Sequence, residues 1–78
     1  MSNARKSAGQ FVICVRNDGY AASLERRKIY QMIPDAAAKR HAQIRIIDES
    51  GEDYLYPAAF FVPVDLPAAT QRAVLEMA

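Results

Sequence analysis

The chain has 78 residues, 51% of them hydrophobic, and its ten Lys and Arg stand against nine Asp and Glu for a formal net charge of +1. That length predicts one domain, that composition excludes disorder throughout, and the balanced charge lacks the basic excess that marks most nucleic-acid binders. The single cysteine, Cys14, excludes an internal disulfide and every multi-cysteine metal framework.

Residues 1–9 are polar and rich in small side chains, which predicts a tail ahead of a domain at 10–78. The apolar run Phe11 to Val15 is too short for a signal core or a membrane span, so a cytoplasmic chain with no membrane association is expected. Gln10 to Arg16 reads as the first strand, with Phe11, Ile13 and Val15 on one face and Val12 and Cys14 on the other. Both faces are apolar, which predicts a central strand and a buried, unreactive Cys14. Asn17-Asp18-Gly19 ends it with residues that tolerate positive φ.

Leu24 to Ile33 admits a helix stopped by Pro34, but from Lys28 onward its alternation fits a strand equally well. A strand is the expected form, because it gives the neighbouring strands a partner. Asp35 is placed to cap a short helix through Lys39, with Arg40 and His41 near its C-terminal end. Gln43 to Asp48 alternates with Ile44 and Ile46 inward, Glu49-Ser50-Gly51-Glu52 reads as a hairpin turn, and Asp53 to Tyr56 returns. Pro57 ends that strand, Ala58 and Ala59 fit one tight turn, and Phe60 to Val64 resumes an extended segment. Pro63 lacks a donor, so this last strand is expected to be short or to lie at an edge. Pro67 to Met77 reads as a helix with Leu66, Ala69, Ala73, Val74 and Met77 along one side, which either covers the strands in cis or docks on another subunit.

The stretch LYPAAFFVPV, with Lys28-x-Tyr30, Ile46-Ile47-Asp48-x-Ser50-Gly51, Tyr56-Pro57 and Phe60, resembles small bacterial Src-homology-3-like (SH3-like) barrel proteins of uncharacterised function. The resemblance spans Phe11 to about Val64. It implies an all-β fold, a small SH3-like barrel of about five short antiparallel strands, with a 3₁₀ turn before the last strand and a C-terminal helix. It carries the fold and not a polyproline ligand: the chain has no Trp, and only NDGYAAS stands where a long acidic loop meets basic ligand residues.

Four features are candidate sites. The acidic group Asp48, Glu49, Glu52 and Asp53 lacks the alternating ligand spacing of a calcium loop and is expected to be a solvated turn. The basic run Arg26, Arg27 and Lys28, with Tyr20, Tyr54 and Tyr56, offers cations and aromatic rings to a partner. If that run lies on a strand, Arg26 and Lys28 point one way and Arg27 the other; it is then most simply a solvated face paired with the acidic turn. The lone His41 has no nucleophile motif beside it, since Ser23, Ser50 and Thr70 stand in none, and catalysis is not expected. No cofactor or metal is expected. The sequence therefore points to a non-catalytic protein-interaction or regulatory module, binding another protein or itself, with a nucleic-acid-binding barrel as the alternative.

Overall fold

The computed structural model describes residues 10–76, so the expected tail at 1–9 and the end of the predicted helix at Met77 lie outside the described residues. The β-branched and aromatic runs form five strands: β1 (Phe11–Cys14), β2 (Ile29–Ile33), β3 (Gln43–Ile47), β4 (Asp53–Pro57) and β5 (Phe61–Val64). All neighbours pair antiparallel, in the order β4-β3-β2-β1-β5. A short helix α1 (Ala36–Arg40) joins β2 to β3, a 3₁₀ turn (Ala58–Phe60) joins β4 to β5, and helix α2 (Ala68–Glu76) follows β5.

Position in the sheet follows side-chain chemistry. β1, apolar on both faces, lies between β2 and β5, and the Pro63-bearing β5 is an edge strand. β2 is divided between two neighbours. Ile29, Tyr30 and Gln31 face β1, whereas Met32 and Ile33 face β3. The register places Val12 opposite Tyr30, Ile46 opposite both Met32 and Tyr54, and Ile44 opposite Tyr56, so these side chains share one face.

On that face Val12, Cys14, Tyr30, Ile46, Tyr56 and Phe61 join Leu24 and Phe60 in one buried cluster, with Met32 and Ile44 packed against it. Each large apolar side chain buried there stabilises by roughly 1.5–3 kcal/mol relative to exposure. Cys14 is wholly buried, and burial pushes its thiol pKa up, which leaves it an inert small hydrophobe as its sequence context predicts.

α1 is short because its apolar content is three alanines, and capping does much of the work of holding it. The Asp35 carboxylate accepts the Ala38 N–H at 3.0 Å and the Arg45 Nε–H at 2.9 Å, while Lys39 and Arg40 occupy the last turn. Gly51 takes φ 86° in the β3–β4 turn, as its place in the sequence requires.

Two expectations are corrected. Leu24 to Ile33 is not strand throughout: the strand begins at Ile29, because Arg26 and Arg27 form a turn in which Arg27 takes φ 74° and donates its N–H to the Cys14 carbonyl at 2.7 Å. The basic run is therefore not divided between two strand faces. The expected stripe of α2 also fails, since Ala69 and Ala73 are exposed and no described residue of the helix is buried. Instead Val74 and Leu75 line a groove together with Phe11 of β1 and Ile29 of β2.

Candidate functional site

Residues 15–28, between β1 and β2, form a loop that is fixed at several points rather than free. The Tyr20 carbonyl accepts the N–H groups of Ser23 and Leu24, both at 2.9 Å, and the Asn17 side chain donates to the Leu24 carbonyl at 3.0 Å. Gly19, at φ 82°, makes the reversal that Asn17-Asp18-Gly19 predicts. Leu24 then anchors the far side of the loop in the core at 1% exposure.

The β3–β4 turn clamps this loop from outside. Asp48 is buried, and its carboxylate accepts the Ser50 N–H at 2.9 Å, the Ser50 hydroxyl at 2.6 Å and the Tyr56 hydroxyl. The Tyr56 oxygen also shares a 3.0 Å hydrogen bond with Ser23 Oγ, and Glu49 donates its N–H to the Ser23 carbonyl at 3.1 Å. Beside it, the Glu49 carboxylate accepts from the Tyr30 hydroxyl and pairs with Lys28 Nζ at 2.7 Å, while the Tyr30 oxygen accepts the Glu25 N–H at 2.7 Å. Two adjacent carboxylates thus hold two tyrosines, and each tyrosine holds the loop.

The protonation behaviour follows from this geometry. Burial by itself would raise the Asp48 pKa, but the hydrogen bonds from Ser50 and Tyr56 outweigh it and hold the carboxyl below its ordinary value. Glu49 is likewise lowered, first by Lys28 and then by the Tyr30 hydroxyl. Tyr30 and Tyr56 are raised, chiefly by burial and next by the carboxylates they face. The expectation of a solvated acidic turn is therefore corrected for Asp48, which is buried against Tyr56 across the hairpin; Glu49 is exposed and paired with Lys28, and it also receives the hydroxyl of Tyr30, 19 residues away. The expectation holds for Glu52 and Asp53, which are exposed.

On this support sits an aromatic platform. The Tyr20 ring, 41% exposed, stands edge-on to Tyr56 at 5.0 Å and to Phe60 at 6.0 Å between centroids. The Arg16 guanidinium lies 5.3 Å from the centre of the Phe60 ring and is paired with Asp18 at 2.6 Å, with both of these side chains exposed.

The sequence-predicted residues are thus dispersed. Tyr20 and Tyr56 are brought together, with Tyr56 buried beneath. Tyr54 shares the Tyr56 face of β4 but is 49% exposed, donates its hydroxyl to Glu52 and makes no ring pair among the described residues. Lys28 is paired with Glu49, as the reading of a solvated face against the acidic turn requires. Arg26 and Arg27 are exposed and make no ion pair among the described residues. Sequence reasoning missed Arg16 and Phe60 as platform residues and Asp48 as its support. The Pro57-x-x-Phe60 spacing signals the first turn, and Asp48-x-Ser50 is the pattern of a carboxylate that accepts the N–H two residues on. Among the described residues, no group of His, Cys, Asp and Glu is arranged to hold a metal ion, and no helix is long and apolar enough to cross a membrane. The chain matches no known protein family, no curated protein and no solved structure.

Proposed function

We propose that this chain is a cytoplasmic, non-catalytic protein-interaction module built as a small SH3-like barrel, and that it meets its partner protein through the Tyr20 platform. The observation that carries the reading is a half-exposed tyrosine ring held edge-on against two buried aromatic rings, beside an arginine, by a loop that is pinned from both sides. An aromatic side chain ordered before binding loses little entropy on binding, and Tyr and Arg are the residue types that dominate interface energetics. Tyr54, Arg26 and Arg27 do not belong to the platform itself. The barrel assignment is supported by β2, which is divided between β1 and β3, and by the 3₁₀ turn that leads into an edge strand paired with β1.

The second reading, a nucleic-acid-binding barrel, is favoured by Arg26 and Arg27, which make no ion pair among the described residues, and opposed by the net charge of +1. Affinity capture from a lysate of the source organism, with and without nuclease, separates the two when run with wild type and Tyr20→Ala. The half-exposed Tyr20 is expected to leave stability within about 1 kcal/mol when truncated. A protein retained after nuclease and lost with Tyr20→Ala supports the interaction module. Material that disappears with nuclease, or with moderate salt, moves the assignment to nucleic acid.

A further inference from the structure

The sheet has two outer strands, β4 and β5, and their outer edges differ. In an antiparallel ladder, successive residues turn their N–H and C=O groups alternately toward the neighbouring strand and away from it. On β5 the Val15 N–H, on the Phe60 carbonyl at 2.8 Å, sets that alternation, so Val62 and Val64 face β1 while Phe61 and Pro63 face outward. Pro63 has no N–H, and the Phe61 N–H is taken by the Ala58 carbonyl of the 3₁₀ turn. The outer edge of β5 therefore presents carbonyls and no donor, which blunts it against a further strand.

The outer edge of β4 is open. The Asp48 N–H on the Glu52 carbonyl at 3.0 Å and the Ala58 N–H on the Ala42 carbonyl at 2.9 Å bracket its ladder with β3. Tyr54 and Tyr56 therefore turn their backbone groups to β3, whereas Asp53, Leu55 and Pro57 turn theirs outward. Among the described residues no hydrogen bond reaches the outward N–H groups of Asp53 and Leu55, and no strand lies beyond them. The one charged side chain of the strand does not guard this edge, since Asp53 is paired with Arg45 of β3 at 3.0 Å.

We propose that a second copy of this chain adds to the β4 edge, the two β4 strands pairing antiparallel about Leu55 over their whole length. The order of donors and acceptors along this edge is complementary to itself, and a second copy supplies the same edge at equal concentration. With Leu55 opposite the second copy's Leu55, each donates its N–H to the other's carbonyl. Asp53 then falls opposite Pro57, and its N–H meets the Pro57 carbonyl. Both outward donors of each strand are thereby used. The missing N–H of Pro57 faces only the Asp53 carbonyl, an acceptor that water can serve. The side chains agree with this register. Leu55, 39% exposed, meets its own copy on one face. On the other face Tyr54 comes opposite Tyr56, at a position where paired Cα atoms approach to about 4.5 Å. Asp53 stands opposite a proline, so no like charges of the two strands oppose each other. An edge of five residues is smaller than a standard interface, and the dimer is accordingly weak. Tyr20 and Arg16 take no part in the pairing, so its failure would leave the platform reading standing.

The test is sedimentation velocity of the full chain between about 10 μM and about 1 mM, the span in which an interface below standard size dissociates, with amide hydrogen exchange on the same samples. The chain is expected to pass from monomer to dimer, and the Asp53 and Leu55 amides to gain protection as it does. Leu55→Pro removes an outward N–H that β3 does not use, and is expected to fold and to dimerise at least about tenfold more weakly. Leu55→Lys, at an exposed position, is expected to fold and to stay monomeric, because it sets two cations directly opposite each other. Val62→Lys, on the other outer strand, is expected to dimerise as wild type does. A chain that is monomeric throughout overturns the proposal. So does a dimer that both Leu55 variants leave intact, or one that Val62→Lys abolishes. Leu55 amide protection that does not change with concentration would also overturn it, because the edge would then be covered within the chain.

Discussion

Truncating Asp48 is the most direct test of how the β1–β2 loop is held. In Asp48→Ala the buried Tyr56 hydroxyl loses its charged acceptor and keeps only Ser23, at about 1.5–3 kcal/mol for a hydrogen bond to an ionised group. Ser50 is exposed, so its N–H and hydroxyl return to water, and their loss adds about 0.5–1 kcal/mol. The sum is about 2–4 kcal/mol, a large share of the roughly 4–12 kcal/mol expected for a domain of this length. Urea denaturation of wild type, Asp48→Ala, Tyr56→Phe and the double variant at pH 7 gives the total and the coupling, expected at about 1.5 kcal/mol or more. The pH dependence has a fixed sign. The folded-state pKa of Asp48 lies below its ordinary value, so its contribution is complete above the ordinary carboxylate range, about pH 4, and is lost as pH falls through the folded value. Wild type and Asp48→Ala are therefore expected to differ fully at pH 7 and to converge on acidification. A cost under about 0.5 kcal/mol at pH 7, or additive effects of Asp48→Ala and Tyr56→Phe, would refute the clamp.

Phe60→Ala removes a ring that is 7% exposed, belongs to the core cluster and supports Tyr20, and thermal or urea unfolding is expected to report a loss of about 3–5 kcal/mol. An equally stable variant would contradict the position assigned to this ring. Glu49→Lys takes the acceptor from the Tyr30 hydroxyl and sets a second cation beside Lys28, for an expected loss of about 1–2 kcal/mol. A loss below about 0.5 kcal/mol would return the turn to the solvated one expected from the sequence.

Much of the local structure was legible because the signals that set it are local. The caps, turns and alternations at Asp35, Asn17-Asp18-Gly19, Gly51 and Gln43 to Asp48 each depend on residues within one turn or one strand. The central place of β1 and the edge place of β5 followed from the two apolar faces of one and the missing donor of the other. Leu24 to Ile33 was misjudged because Arg27 takes a backbone conformation that its side chain gives no reason to expect. Backbone hydrogen bonds to Cys14, across the β1–β2 connection, hold it there.

The candidate site divides in the same way. Tyr20 was visible as an aromatic residue after a turn, and Phe60 as part of a Pro-x-x-aromatic unit. That they meet edge-on over Tyr56 depends on contacts between residues forty positions apart or nearly so, to which no periodicity corresponds. The acidic turn shows the difference most clearly. Its four carboxylates look alike in sequence, and the fold sorts them by what each one faces: Asp48 is buried on the Tyr56 hydroxyl, Glu49 takes the Tyr30 hydroxyl and Lys28, Glu52 takes the Tyr54 hydroxyl, and Asp53 pairs with Arg45. The sequence alone determined most of the strands, turns and caps, the Arg26–Arg27 turn excepted, because these depend on neighbours along the chain. Only tertiary structure decided which charges are paired, as Lys28 is with Glu49 and Arg45 with Asp35 and Asp53, because electrostatic pairing depends on distance in space.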